Sequence, residues 1–316
     1  MKLISPGALS RFGMLGINAR NLDFIGRYNQ REQYPLVDNK LKTKMIAQEH
    51  QLAVPALRFS LTQQHDVEAT IQQLDTMSGF AMKPAKGSGG RGIWVITDRR
   101  DGKFVKSSGI VVDHDDLRRH MSNTLAGLYS LGGGADSVII EDLIQLDPRF
   151  DGLSVEGIPD IRVIVFKGYP VMAMLRLATH QSDGKANLHQ GAVGVGLTLE
   201  EGHYANAVQN GHPIQEHPDT QKPLNQIAIP EWPTILYLAA QCFEVTGLGY
   251  LGTDIVIDRD RGPVLLELNA RPGLAIQLAN NCGLLPRLRH IEGLRETPRR
   301  DAADRVHYSI EKLSKL

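Results

Sequence analysis

Three oxygen-bearing side chains in the C-terminal part of the chain have the types and spacing of a metal site. Glu267 and Asn269 alternate with leucines in the run VLLELN, and the two-residue period of a strand places both on one face. Asp254 lies in the preceding apolar run. We expect this run to pair with VLLELN as a hairpin across a turn at Asp258. We expect the Asp258 side chain to lie in solvent. A carboxylate among apolar neighbours is costly unless it is paired or bound to a metal. Oxygen-only ligands favour Mg²⁺, and a structural set of salt bridges is the alternative.

A glycine-rich loop between two predicted strands has the composition of a phosphate-binding flap. It contains the pattern GxGxxG, but the residues that follow, IWVI, favour a strand, whereas the dinucleotide fingerprint opens a helix. We therefore expect the loop to fold its backbone N–H groups over phosphates, and a plain β-turn is the alternative. The predicted contacts of this flap are Gly87, Ser88, Gly89, Gly90 and Gly92.

Lysines in the same region could bring positive charge to a phosphate. Lys83 ends the strand before the flap, and we expect its ammonium to reach a nucleotide phosphate as a point charge. Lys40 and Lys44 lie four residues apart and share one face of a predicted helix. Taken by itself, this second pair predicts a solvated face.

The acidic pair Glu141–Asp142 ends an apolar strand. A carboxylate there could accept hydrogen bonds from ribose hydroxyls. The adjacent backbone, at Leu143 and Ile144, could pair with an adenine edge. A strand-end acid in water is the alternative.

Two guanidiniums on neighbouring strands could grip a carboxylate or a phosphoryl group. Asp160 and Arg162 share one strand face, and Arg176 lies on the next predicted strand. A surface pair between Asp160 and Arg162 is the alternative. The loop NLHQGAVG adds hydrogen-bond donors and flexible glycines, with Asn187 and His189 as its candidates.

The hydrophobic pattern places these groups on an α+β chain with mostly antiparallel sheets. It predicts hairpins over residues 161–177 and 252–269 and helices over residues 41–52, 66–76, 117–131 and 233–246. A helical segment over residues 15–34 is expected to end at Pro35. The remaining expectations are a polar connection at 98–107, a loop at 178–196 and a surface insertion at 203–229.

Composition and charge exclude several classes of protein. The 316 residues include 35 Lys+Arg and 35 Asp+Glu, and this zero net charge argues against a general nucleic-acid or membrane-surface binder. Two cysteines are too few for a disulfide framework. No run is long enough for a membrane span and no signal peptide is visible, so we expect a reducing cytoplasm. The absence of GxSxG, Walker A and CxxC patterns removes support for nucleophilic hydrolysis and P-loop chemistry.

The order of the chemical groups along the chain resembles that of the ATP-grasp superfamily, and within it the ribosomal-protein-S6 glutamate ligases. The segments DIRVIVFKGYPVMAMLR, NLHQGAVG and LLELNARPG are similar to that branch. The opening GINARNLDFIGRYNQREQYPLVDNKLKTK resembles a narrower family, the α-L-glutamate ligase-like or sugar-transfer-associated ATP-grasp proteins. This resemblance covers nearly the whole chain.

The resemblance implies an ATP-grasp fold in which two α+β lobes grip ATP. The expected boundaries are an N-terminal helical segment at residues 1–38, a central lobe at 39–142 and a catalytic lobe at 143–316. It implies nucleotide contacts from Lys40 and Lys83 to phosphate, from Glu141 to ribose and from the segment Asp142–Ile144 to adenine. It implies Mg²⁺, with Mn²⁺ as the alternative, on Asp254, Glu267 and Asn269, and an acceptor and γ-phosphate side formed by Arg162, Arg176, Asn187 and His189.

Departures from the glutamate ligases fall on the substrate side. Lys185 stands where those ligases have arginine, and Arg271 stands where they have a small residue. Only about 38 residues precede Lys40, in place of a full domain, and this segment is open to a role in the acceptor site or in a dimer interface. The expected substrate contacts are Arg20, Asp160, Lys185 and Arg271.

These expectations favour an ATP- and Mg²⁺-dependent carboxylate–amine ligase. It would join an amino acid or small peptide through an acylphosphate and release ADP and phosphate, with no nucleic-acid or membrane partner. A kinase-like phosphotransferase to a small molecule or sugar is one alternative, although no HRDxxxxN or DFG pattern is present. A non-catalytic nucleotide-binding module is another.

Overall fold

The computed structural model describes residues 5–87, 89–130, 132–295 and 300–316. The chain forms two compact units: Asp38–Gln145, here called the central unit, and Met1–Val37 together with Leu146–Leu316, here called the main unit. Among the described residues, no helix combines the length and the apolar character that crossing a bilayer requires.

The central unit is built on a six-stranded antiparallel sheet. Its strands are β1 (Leu57–Leu61), β2 (Phe80–Pro84), β3 (Trp94–Arg100), β4 (Lys103–Lys106), β5 (Val111–Val112) and β6 (Val138–Glu141). They lie in the order β1-β6-β2-β3-β4-β5. The flap therefore joins two neighbouring antiparallel strands, β2 and β3, as the IWVI run predicts.

The expected polar connection at 98–107 is wrong, because β3 continues to Arg100 and turns directly into β4. Asp101 and Gly102 form the turn with φ values of 50° and 74°. An Asp-Gly pair with positive φ at both positions is a strong hairpin signal. Phe104 and Val105 of the new strand are buried in the core.

The main unit is built on a seven-stranded antiparallel sheet. Its strands are β7 (Asp160–Phe166), β8 (Tyr169–Leu177), β9 (Val193–Leu197), β10 (Tyr204–Gln209), β11 (His212–Pro213), β12 (Tyr250–Asp258) and β13 (Gly262–Asn269). They lie in the order β11-β10-β9-β8-β7-β12-β13. Both predicted hairpins, β7–β8 and β12–β13, are confirmed.

Two predicted irregular regions of the main unit are in fact part of this sheet. The expected loop at 178–196 contains most of β9, and the expected surface insertion at 203–229 contains β10 and β11. In β9 the valines and leucine of VGVGL are buried, but the intervening Gly194 and Gly196 hide the alternation that normally identifies a strand. Leu224 and Ile227 are buried as well, so the 203–229 region belongs to the fold.

Helices cover the two sheets. They are α1 (Pro6–Arg11), α2 (Ile17–Ala19), α3 (Gly26–Tyr28), α4 (Pro35–Asp38), α5 (Lys40–Glu49), α6 (Val67–Leu74), α7 (His114–Leu125), α8 (Trp232–Thr246), α9 (Ile276–Ala279), α10 (Leu285–Glu292) and α11 (Ala302–Tyr308). π-Helical turns occupy Arg20–Ile25 and Ser309–Leu313, and 3₁₀ turns occupy Arg31–Gln33, Gln64–Asp66, Pro148–Phe150 and Leu188–Gln190. Pro35 begins α4 rather than ending a helix, because a proline is well tolerated in the first helical turn, where its missing N–H has no partner to lose.

The N-terminal segment packs on the main-unit sheet. Asn29 exchanges two hydrogen bonds with the backbone of Tyr250, at 2.7 and 2.8 Å. The ring of Phe24 lies edge-on to Phe166, with centroids 5.5 Å apart. The segment expected to precede the lobes is therefore held by buried contacts within one of the two units.

Gly194 and Gly196 allow α9 and a loop side chain to approach the sheet closely. A Cβ atom on Gly196 would lie 2.4 Å from the Ala279 carbonyl oxygen, and one on Gly194 would lie 2.5 Å from Leu188 Cδ2. The glycines that hide β9 in the sequence are therefore the residues that permit its packing.

We expect Gly196→Ala to lower the free energy of unfolding by about 1–3 kcal/mol, because the new methyl group meets backbone atoms of α9 that must shift. Chemical denaturation followed by circular dichroism measures the change. Gly273→Ala is the control, since a Cβ there meets nothing within 4 Å. This variant should be unchanged or more stable by up to about 1 kcal/mol. Equal stabilities of the two variants would contradict the packing argument.

Candidate active site

One face of the main-unit sheet collects the charged side chains. Residues that stand directly opposite each other on antiparallel strands share a face. The first row of Cα partners runs across β13, β12, β7, β8, β9 and β10 as Glu267, Asp254, Arg162, Met174, Gly196 and Asn206. The next row on the same face runs across β7, β8, β9 and β10 as Asp160, Arg176, Gly194 and Val208.

Within these rows, two carboxylates and two guanidiniums form a buried network. Arg162 donates to both oxygens of Asp254, with Nε–Oδ1 at 2.7 Å and Nη2–Oδ2 at 2.6 Å. Arg176 donates to Asp254 Oδ2 at 2.7 Å and to Asp160 Oδ1 at 2.5 Å. The surface pair between Asp160 and Arg162 considered above is therefore wrong, because Asp160 pairs with Arg176 and is buried.

The pKa values of the two carboxyl groups in this network are shifted in opposite directions. Burial raises the pKa of Asp160 to about 6, against the opposing charge of Arg176. Burial would also raise the pKa of Asp254, but the Arg162 and Arg176 guanidiniums outweigh it and lower that pKa to about 2. Burial disfavours the charged form of Arg176, yet Asp160 and Asp254 hold its pKa above the ordinary value. Asp254 is thus ionised at neutral pH and is the anchor of both arginines.

The three predicted metal ligands lie on this face of the sheet, and each carries a side-chain oxygen of the kind that binds Mg²⁺. Asp254 and Glu267 are Cα partners, and Asn269 follows two residues along β13. A carboxylate offers about four acceptor positions, and the arginines use three of those on Asp254. Asn269 Oδ1 accepts from the Arg271 N–H at 2.8 Å. Among the described residues, no three His, Cys, Asp or Glu side chains are grouped as a metal site, and the predicted set accordingly combines two carboxylates with the Asn269 amide.

Asp258 lies at the β12–β13 turn but is not solvated as expected. Its side chain is buried and accepts from the N–H groups of Asp260 and Arg261, each at 3.0 Å. It also accepts from the Arg261 guanidinium at 2.8 Å. Asp258 therefore fixes the turn that brings Asp254 opposite Glu267.

In the central unit, a single carboxylate joins two lysines. Glu141 Oε1 lies 2.9 Å from the Lys44 ammonium, and Oε2 lies 2.6 Å from the Lys83 ammonium. Lys44 also donates to the Pro55 carbonyl oxygen at 2.5 Å. The solvated face predicted for Lys40 and Lys44 is wrong for Lys44, whose side chain is 6% exposed.

This pairing gives Glu141 a role that sequence reasoning missed. Burial by itself would raise the pKa of Glu141, but the Lys83 and Lys44 ammoniums outweigh it and hold the pKa below its ordinary value of 4.5. A ribose hydroxyl could reach the carboxylate only by sharing its oxygens with the two ammoniums. The four-residue spacing of Lys40 and Lys44 was visible in the sequence, but nothing in it showed which lysine would be buried.

The start of the flap is fixed by polar contacts. Asp136 is buried and accepts from the Lys86 N–H at 3.0 Å and from the Ser130 hydroxyl at 2.7 Å. The Lys40 ammonium donates to the Gly87 carbonyl oxygen at 2.6 Å. Ser88 lies outside the described residues, and Gly89 and Gly90 are exposed. The predicted phosphate-binding loop is thus anchored at its first residues.

The end of the flap is fixed by a histidine and two aromatic rings. Tyr129 donates its hydroxyl to His120 Nδ1 at 3.2 Å, and His120 Nε2–H donates to the Gly92 carbonyl oxygen at 2.9 Å. Burial lowers the pKa of His120 to about 4, which keeps this tautomer neutral. Trp94 stacks on His120 with centroids 4.0 Å apart, and a Cβ on Gly92 would strike the Tyr129 ring. No sequence pattern identified His120 as part of this site.

The remaining predicted nucleotide contacts lie at the end of β6. Both carboxylate oxygens of Asp142 accept from Arg58, from Nε at 2.5 Å and from Nη2 at 2.7 Å. Its backbone N–H donates to the Ala56 carbonyl oxygen at 3.0 Å. Leu143 and Ile144 follow and are half-buried.

The remaining predicted substrate contacts lie on the main unit. Asn187 caps the 3₁₀ turn that carries the exposed His189, accepting from its N–H at 3.0 Å. Lys185 pairs with the exposed Asp183. Arg20 donates to the Pro272 carbonyl oxygen at 2.8 Å, next to the exposed Arg271, whose guanidinium lies 4.9 Å from the centroid of the Tyr34 ring. The structure thus brings the predicted N-terminal contact Arg20 next to the NARPG segment.

Comparison with known proteins gives one family and several distant structures. The family described as Sugar-transfer associated ATP-grasp matches residues 19–293. No curated protein matches the chain. The chain is similar to ATP-grasp ligase PsnB complexed with a minimal precursor, with 15% identity, 84% of this chain and 63% of that chain covered, and a TM-score of 0.45. It is also similar to D-alanyl-alanine synthetase A from Vibrio cholerae, with 12% identity, 90% of this chain and 67% of that chain covered, and a TM-score of 0.47. The chain thus spans less than two thirds of the length of PsnB.

We expect Glu141→Gln to lower the free energy of unfolding by about 3–5 kcal/mol at neutral pH, because it leaves two buried ammoniums without their counter-ion. Since folding lowers the pKa of Glu141, its contribution is present above pH 4.5 and is lost as the pH falls through the lowered pKa. Urea denaturation at neutral pH and below pH 4.5 measures both effects.

Asp142→Asn is the matched control for this experiment. It removes the neighbouring carboxylate, whose partner Arg58 is half exposed to solvent. We expect almost no change in stability at either pH, because exposed pairs contribute little. A Glu141→Gln variant as stable as this control would show that the lysines do not depend on Glu141.

Proposed function

The chain belongs to the sugar-transfer associated ATP-grasp family, and from this membership we propose that it is an ATP- and Mg²⁺-dependent carboxylate–amine ligase. Its fold, with two antiparallel sheets and covering helices, is that of ATP-grasp proteins. The observation that carries the proposal is the pair of guanidiniums of Arg162 and Arg176, whose side chains are only 12% and 10% exposed and which are held on one carboxylate of the main-unit sheet. A fixed cluster of donors of this kind suits the charge that develops when a phosphoryl group is transferred.

The central unit would hold the nucleotide. Lys83 and Lys40 are the proposed phosphate contacts, and both are already oriented by other protein groups: Lys83 by Glu141, and Lys40 by the Gly87 carbonyl. The flap, fixed at its first and last residues, would present backbone N–H groups to the phosphates and exclude water from them. Asp142, Leu143 and Ile144 are the proposed neighbours of the base.

The main unit would hold the metal and the transferring phosphoryl group. Asp254, Glu267 and Asn269 fit Mg²⁺ because their donors are all oxygens on one sheet face, and Asp254 keeps an acceptor position that the arginines do not use. When bound, Mg²⁺ would supply positive charge to the phosphates. Arg162 and Arg176 would donate hydrogen bonds to the oxygens of the transferring group from positions that Asp254 already fixes.

The proposed reaction has two steps. A carboxylate oxygen of the substrate attacks the γ-phosphorus of ATP, and the bond from that phosphorus to ADP breaks. The amine of a second substrate then attacks the acyl carbon, and phosphate leaves as the amide forms. His189, exposed on its 3₁₀ turn, would take the proton that the amine loses, and Asn187 fixes that turn. Arg20, Asp160, Lys185 and Arg271 are the proposed substrate-side residues.

We expect purified protein, ATP and Mg²⁺ to release phosphate only when a carboxylate and an amine substrate are both present. A panel of amino acids and short peptides, with mass spectrometry of the products, tests this. Asp254→Asn and Glu267→Gln should each lower kcat by about 10²–10³-fold, because each removes a carboxylate that would hold the positive charge of Mg²⁺ beside the transferring group.

Asp260→Asn is the control for these two variants. Asp260 is an exposed carboxylate at the β12–β13 turn that pairs with Arg259, and we expect its removal to leave kcat near the wild-type value. Denaturation curves separate loss of folding from loss of chemistry. A phosphorylated product whose formation needs no amine would show a phosphotransferase instead, and a fully active Asp254→Asn would rule out the proposed metal site.

A further inference from the structure

A cleft of about 270 Å³ opens on the main unit. This volume lies just below the usual range of ligand pockets, so it suits a side chain rather than a nucleotide. The cleft is lined by Leu188, His189, Val208, Asn210, Gly211, Ala275 and Leu278.

Hydrogen bonds hold the walls of the cleft in place. Gln209 donates to the Gly191 carbonyl oxygen at 2.9 Å, which ties the end of β10 to the loop after the 188–190 turn. Asn210 donates to Gln181 Oε1 at 3.0 Å. Asn206 donates to the carbonyl oxygens of Leu278 and Ala279, each at 3.2 Å, and ties β10 to α9. The cleft is therefore a formed feature of three connected elements.

The cleft adjoins the charged face of the sheet. Val208, in its wall, is the Cα partner of Gly194, which is in turn the partner of Arg176. Two strand spacings of about 4.8 Å place Val208 roughly 10 Å from Arg176 along this row. Leu188, another wall residue, covers Gly194. A substrate bound near Arg176 could therefore place a side chain in the cleft.

Four of the seven residues that line the cleft are aliphatic, His189 and Asn210 are polar, and none is Asp, Glu, Lys or Arg. Leu188, Val208, Ala275 and Leu278 supply the apolar surface, and Leu278 is 47% exposed. A charged side chain would lose hydration here, and no Asp, Glu, Lys or Arg of the lining would compensate for that loss. A neutral aliphatic group would instead bury this apolar surface and remove it from water, which is favourable.

We propose that this cleft receives a neutral aliphatic side chain, of leucine, isoleucine or valine size, on the amine substrate of the ligase. His189 lines the cleft and is the residue that we propose takes the proton from the amine. The substrate whose side chain lies nearest to the cleft is therefore the amine substrate. The inference rests on the proposed function and differs from the glutamate specificity of the ligases that the sequence resembles.

The first test measures binding without turnover. Titration with leucinamide, followed by the imidazole NMR signals, should shift the His189 resonance, which is assigned with a His189→Gln variant. The same titration with the α-amide of glutamate, which carries a negative charge on its side chain, should leave that resonance unshifted. Equal shifts with the two amides, or no shift with leucinamide, would overturn the inference.

Variants locate the binding. Leu278→Asp should weaken leucinamide binding by at least about tenfold, because it places a charge in the apolar wall. Ala275→Leu, which fills part of the cleft without a charge, should weaken it as well and covers the case in which Leu278→Asp fails to fold. Leu316→Asp is the control, since Leu316 is equally exposed, at 50%, and lies outside the cleft. Unchanged binding in a folded Leu278→Asp or in Ala275→Leu would overturn the inference.

The two proposals fail in different ways. If amine substrates with acidic side chains are joined as efficiently as those with aliphatic side chains, the ligase proposal is supported and the assignment of the cleft is wrong. If leucinamide binds and depends on Leu278 but no amide forms with any substrate, the cleft is a binding site and the ligase proposal falls.

Discussion

The main unit depends on one buried carboxylate that two guanidiniums share. Asp254 holds Arg162 and Arg176, and Asp160 supplies the second negative charge that Arg176 needs when it is removed from water. Two acids and two bases leave the network neutral, so it can lie almost fully buried on the sheet. A buried charge without a partner is strongly destabilising, so this network fixes the register of β7, β8 and β12. The same register determines which charged groups lie together on that face of the sheet. A change in that register would separate the charges.

The central unit also contains a cluster of paired charges, but in this cluster the positive charges outnumber the negative ones. Glu141 serves both Lys44 and Lys83, so the cluster keeps an excess of one positive charge. A net positive charge is destabilising in an apolar interior, but it would be compensated by a bound anion. The same carboxylate that stabilises the lysines also fixes where their ammoniums lie, which would reduce the loss of side-chain entropy on binding the phosphate that we propose for this site.

Close packing, rather than further polar groups, positions the loops. Gly194 and Gly196 let α9 and Leu188 lie against the charged face of the sheet, and Gly92 lets Tyr129 and His120 fasten the end of the flap. In each case a side chain in place of the glycine would push away the element that carries the functional group. At these positions glycine is therefore needed because it permits short distances between elements.

The sequence by itself determined the α+β class, the family, both main-unit hairpins and the place of the flap between two strands. Local patterns carry that information: the period-2 alternation of VLLELN, the strand-like IWVI after the glycines and the order of the charged groups along the chain. The sequence did not determine that Lys44 is buried, that Asp160 pairs with Arg176 rather than Arg162, that Asp258 is removed from solvent or that VGVGL is a strand. Only the tertiary structure decided these points, because burial and pairing depend on which distant strand or helix covers a residue. A pairing across 78 residues, such as that of Arg176 with Asp254, leaves no local trace in the chain.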